Sequence, residues 1–206
     1  MGDSMSSIVV SGDTSGAITI AAPAVSGTNT LTLPASTGTV ALTSQLPTAA
    51  PAFSAYPTSQ QTGLSQATMT KVVLGTKEYD TATCFNNTGS TATLNGISVP
   101  SYSFAPNVAG YYMITGTVWG TLSGQITKAF ARISRNDTTN YDGNFHFPSS
   151  VTSEFGVNVQ TILYMNGTSD YVNLSIYAET NNSANYSLSS SGLQRVRFNA
   201  AQIRSN

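Results

Sequence analysis

The sequence predicts an all-β, antiparallel sandwich, and three observations predict it. Only 8% of the 206 residues are charged, far below the usual quarter, and Ser, Thr, Gly and Asn stand where Lys and Glu would support helices. Apolar residues alternate with period two over several long stretches. Turn-forming clusters punctuate those stretches at short intervals.

Residues 1–46 read as an arm. They contain almost no aromatic residue and almost no charge. "AITIAAPAVSGT" (17–28) is echoed by "TLTLPASTGT" (30–39), with Ile18 and Ile20 answered by Leu31 and Leu33. Each copy is a short alternating strand followed by a proline and a glycine-containing turn. A lone two-stranded unit is marginal in water. The arm is therefore expected to pack on sister chains or on a larger body, with Ile18, Ile20, Leu31 and Leu33 as its anchoring residues. Residues 47–52 form a linker: Pro47 and Pro51 among small residues give an extended segment.

Aromatics appear from Phe53 onward, and 53–206 reads as a globular head. Strands are expected at 53–57, 70–74, 77–80, 102–105, 110–119, 127–135, 155–165, 170–178 and 195–204. Turns are expected at 86–90, 106–110, 134–140, 165–170 and 181–185. The spacing suits a sandwich of eight to ten strands.

Within it, "VAGYYMITGTVWG" (108–120) poses a question. Tyr112, Ile114, Gly116 and Val118 point to one side, and Tyr111, Met113 and Trp119 to the other. An antiparallel strand of a soluble monomer usually has one polar face; here both sides carry large apolar groups. "YVNLSIYAE" (171–179) repeats the pattern, with Val172, Leu174, Ile176 and Ala178 opposed by Tyr171 and Tyr177. Tyr111, Met113, Trp119, Tyr171 and Tyr177 are thus candidates for a surface covered by other subunits.

Chemistry has little footing. The single histidine, His146, lies in "YDGNFHFPSS" without a G-x-S-x-G elbow. The single cysteine, Cys84, permits neither an internal disulfide nor a cysteine zinc site, and reads as a small, partly buried apolar residue. "NDTTNYDG" (136–143) offers oxygen donors but lacks the acid that completes a calcium loop. No enzyme and no cofactor are expected. Net charge is −1, with no basic run, so no nucleic-acid partner is expected. No apolar run reaches membrane-spanning length, and no charged segment precedes an apolar one as in a secretion signal. Recognition is more plausible. Tyr141, Phe145, His146 and Phe147 concentrate aromatic faces among polar groups in an expected loop, as a sugar-binding patch requires. The tip loop at 181–192, with Asn182 and Tyr186, is a second candidate contact.

"AFSAY" (52–56), "TKVVLGTKEYD" (70–80), "YSFAPNVAGYYMITGTV" (102–118), "ARISRN" (131–136), "ILYMNGTSDYVNLSIYA" (162–178) and "RVRFNAAQIR" (195–204) carry a resemblance. In order and spacing they resemble the globular head of complement first-component q and the related tumour necrosis factor fold, in the form found in bacteriophage fibres. The resemblance covers roughly residues 52–205. The leader "GDTSGAITIAAPAVSGTNTLTLPASTGTVAL" is similar to an element that precedes fibre or tip domains in tailed-phage structural proteins. The resemblance implies a ten-stranded jelly roll, homotrimeric about one tightly packed axis. It also implies a virion protein made in the host bacterial cytoplasm and displayed on the particle surface. Its arm would anchor to capsid, neck or tail proteins, and its head would bind a host-surface glycan. A capsid-decorating or tail-adaptor trimer without receptor binding is the alternative. A secreted cellular recognition module and an enzyme stand further off.

Overall fold

A computed structural model describes residues 7–11, 14–21, 35, 50–146, 153–189 and 195–205. The chain divides into two units, Met1–Leu46 and Pro47–Asn206.

In the first unit, β1 (Ser7–Ser11) and β2 (Ala17–Ala21) form an antiparallel hairpin that pairs Ile8 with Ile20 and Val10 with Ile18. The partner of the 17–21 strand is therefore the stretch before it. The expected echo strand, with Leu31 and Leu33, lies outside the described residues. Ile8, Val9, Val10 and Ile20 are exposed. Because Val9 alternates with Ile8 and Val10, the ribbon shows apolar groups on both faces.

The second unit contains β3 (Ala52–Tyr56), β4 (Gln61–Leu64), β5 (Thr70–Lys71), β6 (Thr76–Asp80), β7 (Phe85–Asn86), β8 (Ala92–Leu94), β9 (Ile97–Val99) and β10 (Ser103–Phe104). They are followed by β11 (Gly110–Leu122), β12 (Ile126–Arg135), β13 (Thr139–Asp142), β14 (Glu154–Met165), β15 (Val172–Thr180), β16 (Tyr186–Leu188) and β17 (Arg197–Ser205). The first sheet runs β13-β12-β15-β10-β7, with β5 added beside β15. In the second, β11 pairs with β14 along one edge and with β17 along the other, and β3 and β6 continue beyond β17. β16 and β4 extend the far end of β11. Every pairing is antiparallel. The long strands alternate between sheets: β11 in the second, β12 and β13 in the first, β14 back, β15 across, β17 back. That winding is a jelly roll, the fold class the sequence predicts.

The core lies between the sheets. At the end where β3 enters, Phe53 stacks between Phe85 and Phe104 with ring centroids 4.5 and 4.6 Å away, and Phe198 meets it edge-on at 5.1 Å. Tyr112, Ile114 and Val118 of β11 face Val172, Leu174 and Ile176 of β15, and all are buried. Cross-strand glycines make room for the large rings. Phe155 lies over Gly120 inside the sandwich, and Trp119 lies over Gly156 outside it.

Turns are held by local polar bonds. The Asn166 carboxamide oxygen accepts from the backbone N–H groups of Thr168, Ser169 and Asp170, a side chain replacing the backbone acceptor of a turn. Gly167 sits in this turn at φ +73°, and a Cβ there would come within 2.5 Å of the Ala109 nitrogen. Asn86, which the sequence placed in a turn, is instead buried. Its amide donates to Ser90, Val99 and Pro100 carbonyls and ties down the β8–β9 hairpin. Cys84 is buried, with its thiol toward the Ala82 carbonyl and the Asn107 carboxamide, and burial pushes its pKa up.

Candidate functional site

The outward face of the second sheet is built by alternation from the strands that make the core. Register places Tyr111 opposite Tyr164, Met113 opposite Ile162, Thr115 opposite Gln160, Thr117 opposite Asn158 and Trp119 opposite Gly156. On the other side of β11, Met113 pairs with Ala201 and Thr115 with Asn199. Ile203, two residues on from Ala201, lies on the same face. The half nearest the chain's entry into the head is apolar, with Tyr111 (44% exposed), Met113 (45%), Ile162 (59%), Tyr164, Ile203 and Tyr79. The distal half is polar, through Asn158, Gln160, Thr115, Thr117 and Asn199, and ends in Trp119 with the Arg195 guanidinium 4.5 Å from its ring.

Near the middle of this face lies an ion pair. Arg197 donates to Glu78 at 2.6 Å, and Ser54 donates to the same carboxylate at 2.9 Å. These two bonds hold the Glu78 carboxyl below its ordinary value of 4.5. A lowered carboxyl pKa stabilises the fold fully above the ordinary value, and that contribution disappears as pH falls through the lower, folded value. Glu78→Gln is therefore expected to lower the urea midpoint at neutral pH. The two proteins should converge below pH 4.5. Parallel midpoint-against-pH curves would refute this.

The first sheet's outward face is different. Phe130 stacks on Tyr177 at 5.1 Å and meets Phe145 at a tilt at 4.6 Å, and the Lys128 ammonium lies 5.2–5.6 Å from all three rings. Arg132 caps Phe130 and is paired with both oxygens of Asp142. The Tyr177 hydroxyl donates to Glu179, which raises the phenol pKa. This face covers most of its own aromatics; among the described residues Phe145, at 48%, is the one that remains well exposed.

The structure thus separates residues that the sequence grouped. Tyr111, Met113 and Trp119 share the second sheet's outer face. Tyr177 lies on the first sheet, stacked on Phe130, so it does not share one surface with them. Tyr171 precedes β15 and packs against the small cluster of Ile97, Val99 and Ala105, with its hydroxyl on Asp137. It too lies off the second sheet's outer face.

The ligand-loop candidates divide similarly. Tyr141 sits in β13, half-buried and packed on the main core. Tyr186 sits in β16, 1% exposed, with its ring edge-on to Phe155. Burial pushes its pKa up to about 12, and it is no ligand contact. Asn182 is tied into its turn, donating to the Ser123 carbonyl and accepting from the Ala184 N–H. His146 pairs through its backbone with Ala129. Phe147 lies outside the described residues, and Phe145 remains as the exposed ring. Ile162, Tyr164, Ile203 and Tyr79 were missed by the sequence reading, although the alternation of "QTILYM" (160–165) signals the first two.

Among the described residues, no three His, Cys, Asp or Glu side chains converge as a metal site would need. Both Asp137 oxygens are taken, by Tyr171 and Asn173.

No protein-family model and no curated protein sequence matches this chain. Solved structures do resemble it. The globular domain of zebrafish complement 1qA protein aligns with TM-score 0.46 and 17% identity, over 76% of this chain and 99% of that one. Murine APRIL, crystallised at pH 5.0, aligns with TM-score 0.49 and 10% identity, over 75% of this chain and 99% of that one.

Proposed function

We propose that this chain is a non-enzymatic structural protein of a bacteriophage virion. In this reading its jelly-roll heads associate as a homotrimer, its N-terminal arm anchors the trimer to other particle proteins, and its head binds a host-surface glycan. The observation that carries the reading is the apolar half of the second sheet's outer face. Met113, Ile162 and Ile203 lie together there, each about half exposed, beside the edge-on pair Tyr111–Tyr164, and burying each such side chain is worth ~1.5–3 kcal/mol. The ion pair on that face, Glu78–Arg197, is internally satisfied, and the whole chain carries a net charge of −1, so copies meet without strong repulsion. The virion setting is supported by the sequence resemblance of arm and head, and the anchoring role by the apolar side chains on both faces of the β1–β2 ribbon. Phe145, exposed beside the Lys128 ammonium, supports a sugar contact.

A capsid-decorating or tail-adaptor trimer is the second reading. It is favoured by the pairing of charges around Phe145: Arg132 with Asp142, and Lys128 with Glu179 at 4.0 Å. Such a patch needs no ligand to be satisfied.

Deleting residues 1–46 tests the division of labour. The head is expected to remain a trimer by light scattering and to stop joining particles. A truncated head that still assembles onto particles would refute the anchor. Binding of the isolated head to host cells, lost in Phe145→Ala, separates the first reading from the second.

A further inference from the structure

The trimer proposed above leaves unstated which part of one copy meets which part of the next. On the outer face of the second sheet, the hollow and the projection are in different places. The hollow is a groove of ≈ 280 Å³ lined by Tyr79, Met113, Thr115, Asn199, Ala201 and Ile203, centred on β17. Its rim is apolar, and its polar members answer each other, the Asn199 amide donating to the Thr115 hydroxyl at 3.4 Å. It carries no charged side chain. The projection is on β14, at the sheet's edge. Ile162 there is 59% exposed, more than any other large apolar side chain described in the head. Ile162 stands cross-strand from Met113, beside the groove, and does not line it. Neighbouring strands lie ~4.8 Å apart, so projection and groove centre are about two strands apart.

We propose that Ile162 of one copy seats in the groove of the next, between its Met113, Ala201 and Ile203, and that this is the contact that closes the ring. The inference rests on the trimer reading and adds the residues that meet. An apolar projection and an uncharged apolar hollow of the same face are complementary, which makes a second copy the natural occupant. A projection at the edge and a socket on interior strands make a head-to-tail contact. Head-to-tail contacts close into rings when the rotation permits. Each subunit then gives one isoleucine and receives one.

The test uses the full chain with the buried thiol removed by Cys84→Ala. Ile162→Cys combined with Ala201→Cys, gently oxidised, is expected to give covalent trimers on a non-reducing gel. Either cysteine alone should give none. A parent that scatters light as a trimer but yields no cross-link would overturn this contact and leave the trimer standing. Covalent dimers alone would overturn the ring in favour of a two-fold contact. A monomeric parent would overturn the trimer reading and this contact with it. As a second measure, Ile162→Asp should weaken subunit association by about 100-fold or more while the far-ultraviolet dichroism is unchanged. Ile162→Val, which keeps most of the apolar contact, should stay within roughly tenfold of the parent.

Discussion

Replacing Gly116 by valine is expected to destabilise the head by about 3 kcal/mol or more, or to prevent its folding. Gly116 lies mid-way along β11 and points inward. A Cβ placed there would come within 2.3 Å of Leu174 Cδ1, 3.1 Å of Leu174 Cδ2 and 3.2 Å of Val159 Cγ1. Leu174 belongs to β15 in the opposite sheet and is fully buried, so it cannot step aside into solvent. Interiors are packed to crystal density; adding methylenes to such a contact forces side chains off their rotamers or pushes the sheets apart. Urea unfolding measures the loss. Shortening the partner separates crowding from β-propensity: Leu174→Ala in the valine background should recover part of the stability, although Leu174→Ala alone should lower it by ~2–5 kcal/mol. A valine variant with an unchanged midpoint would mean that the two sheets are not in contact at this point.

Met113→Asp is expected to convert the assembled protein to monomers without unfolding it. Met113 stands among Tyr111, Ile162 and Ile203, half exposed in the single chain. In a trimer the substitution removes ~1.5–3 kcal/mol of apolar burial from each copy and adds the desolvation of a carboxylate, several kcal/mol more. Symmetry repeats the loss three times. In the isolated chain the aspartate is solvated and harmless, so the dichroism spectrum should hold while the light-scattering mass falls to one third. Phe145→Asp is the control, because Phe145 lies outside the first sheet. Dissociation by Phe145→Asp and not by Met113→Asp would put the interface on the wrong side of the molecule.

Much of the sandwich was legible because period two survives in long strands. β11, β12, β14 and β15 each carry enough alternating residues for the pattern to exceed chance, and Tyr112, Ile114, Val118, Leu174 and Ile176 are buried as alternation implies. The short strands were not legible. β5, β7 and β10 have two residues each, too few to show a period, and exist because a neighbouring strand offers them a ladder. Tyr141 and Tyr186 were read as loop residues for the same reason. They sit in strands of four and three residues surrounded by Asn, Ser and Gly, where local composition says turn and the edge of a longer strand says otherwise.

Tyr177 was misgrouped for a different reason. Alternation shows that two residues of one strand share a face, but not which sheet the strand joins. Only the ladder of β15 with β12, which sets Tyr177 beside Phe130, puts it on a different sheet from Tyr111.

By itself the sequence determined that the chain is all-β, that residues 1–46 differ in composition from 53–206, and that two of its strands carry large apolar groups on both sides. Those properties are written in composition and in neighbours two residues apart. The tertiary structure decided which of the two aromatic faces is already covered. Phe130 is covered by Tyr177 and Phe145 with Lys128 beside all three rings, whereas Met113, Ile162 and Ile203 on the other face stay about half exposed, next to the edge-on pair Tyr111–Tyr164. That difference depends on which distant strands lie side by side, and strand pairing is settled by burying the whole core at once, a quantity no local pattern contains.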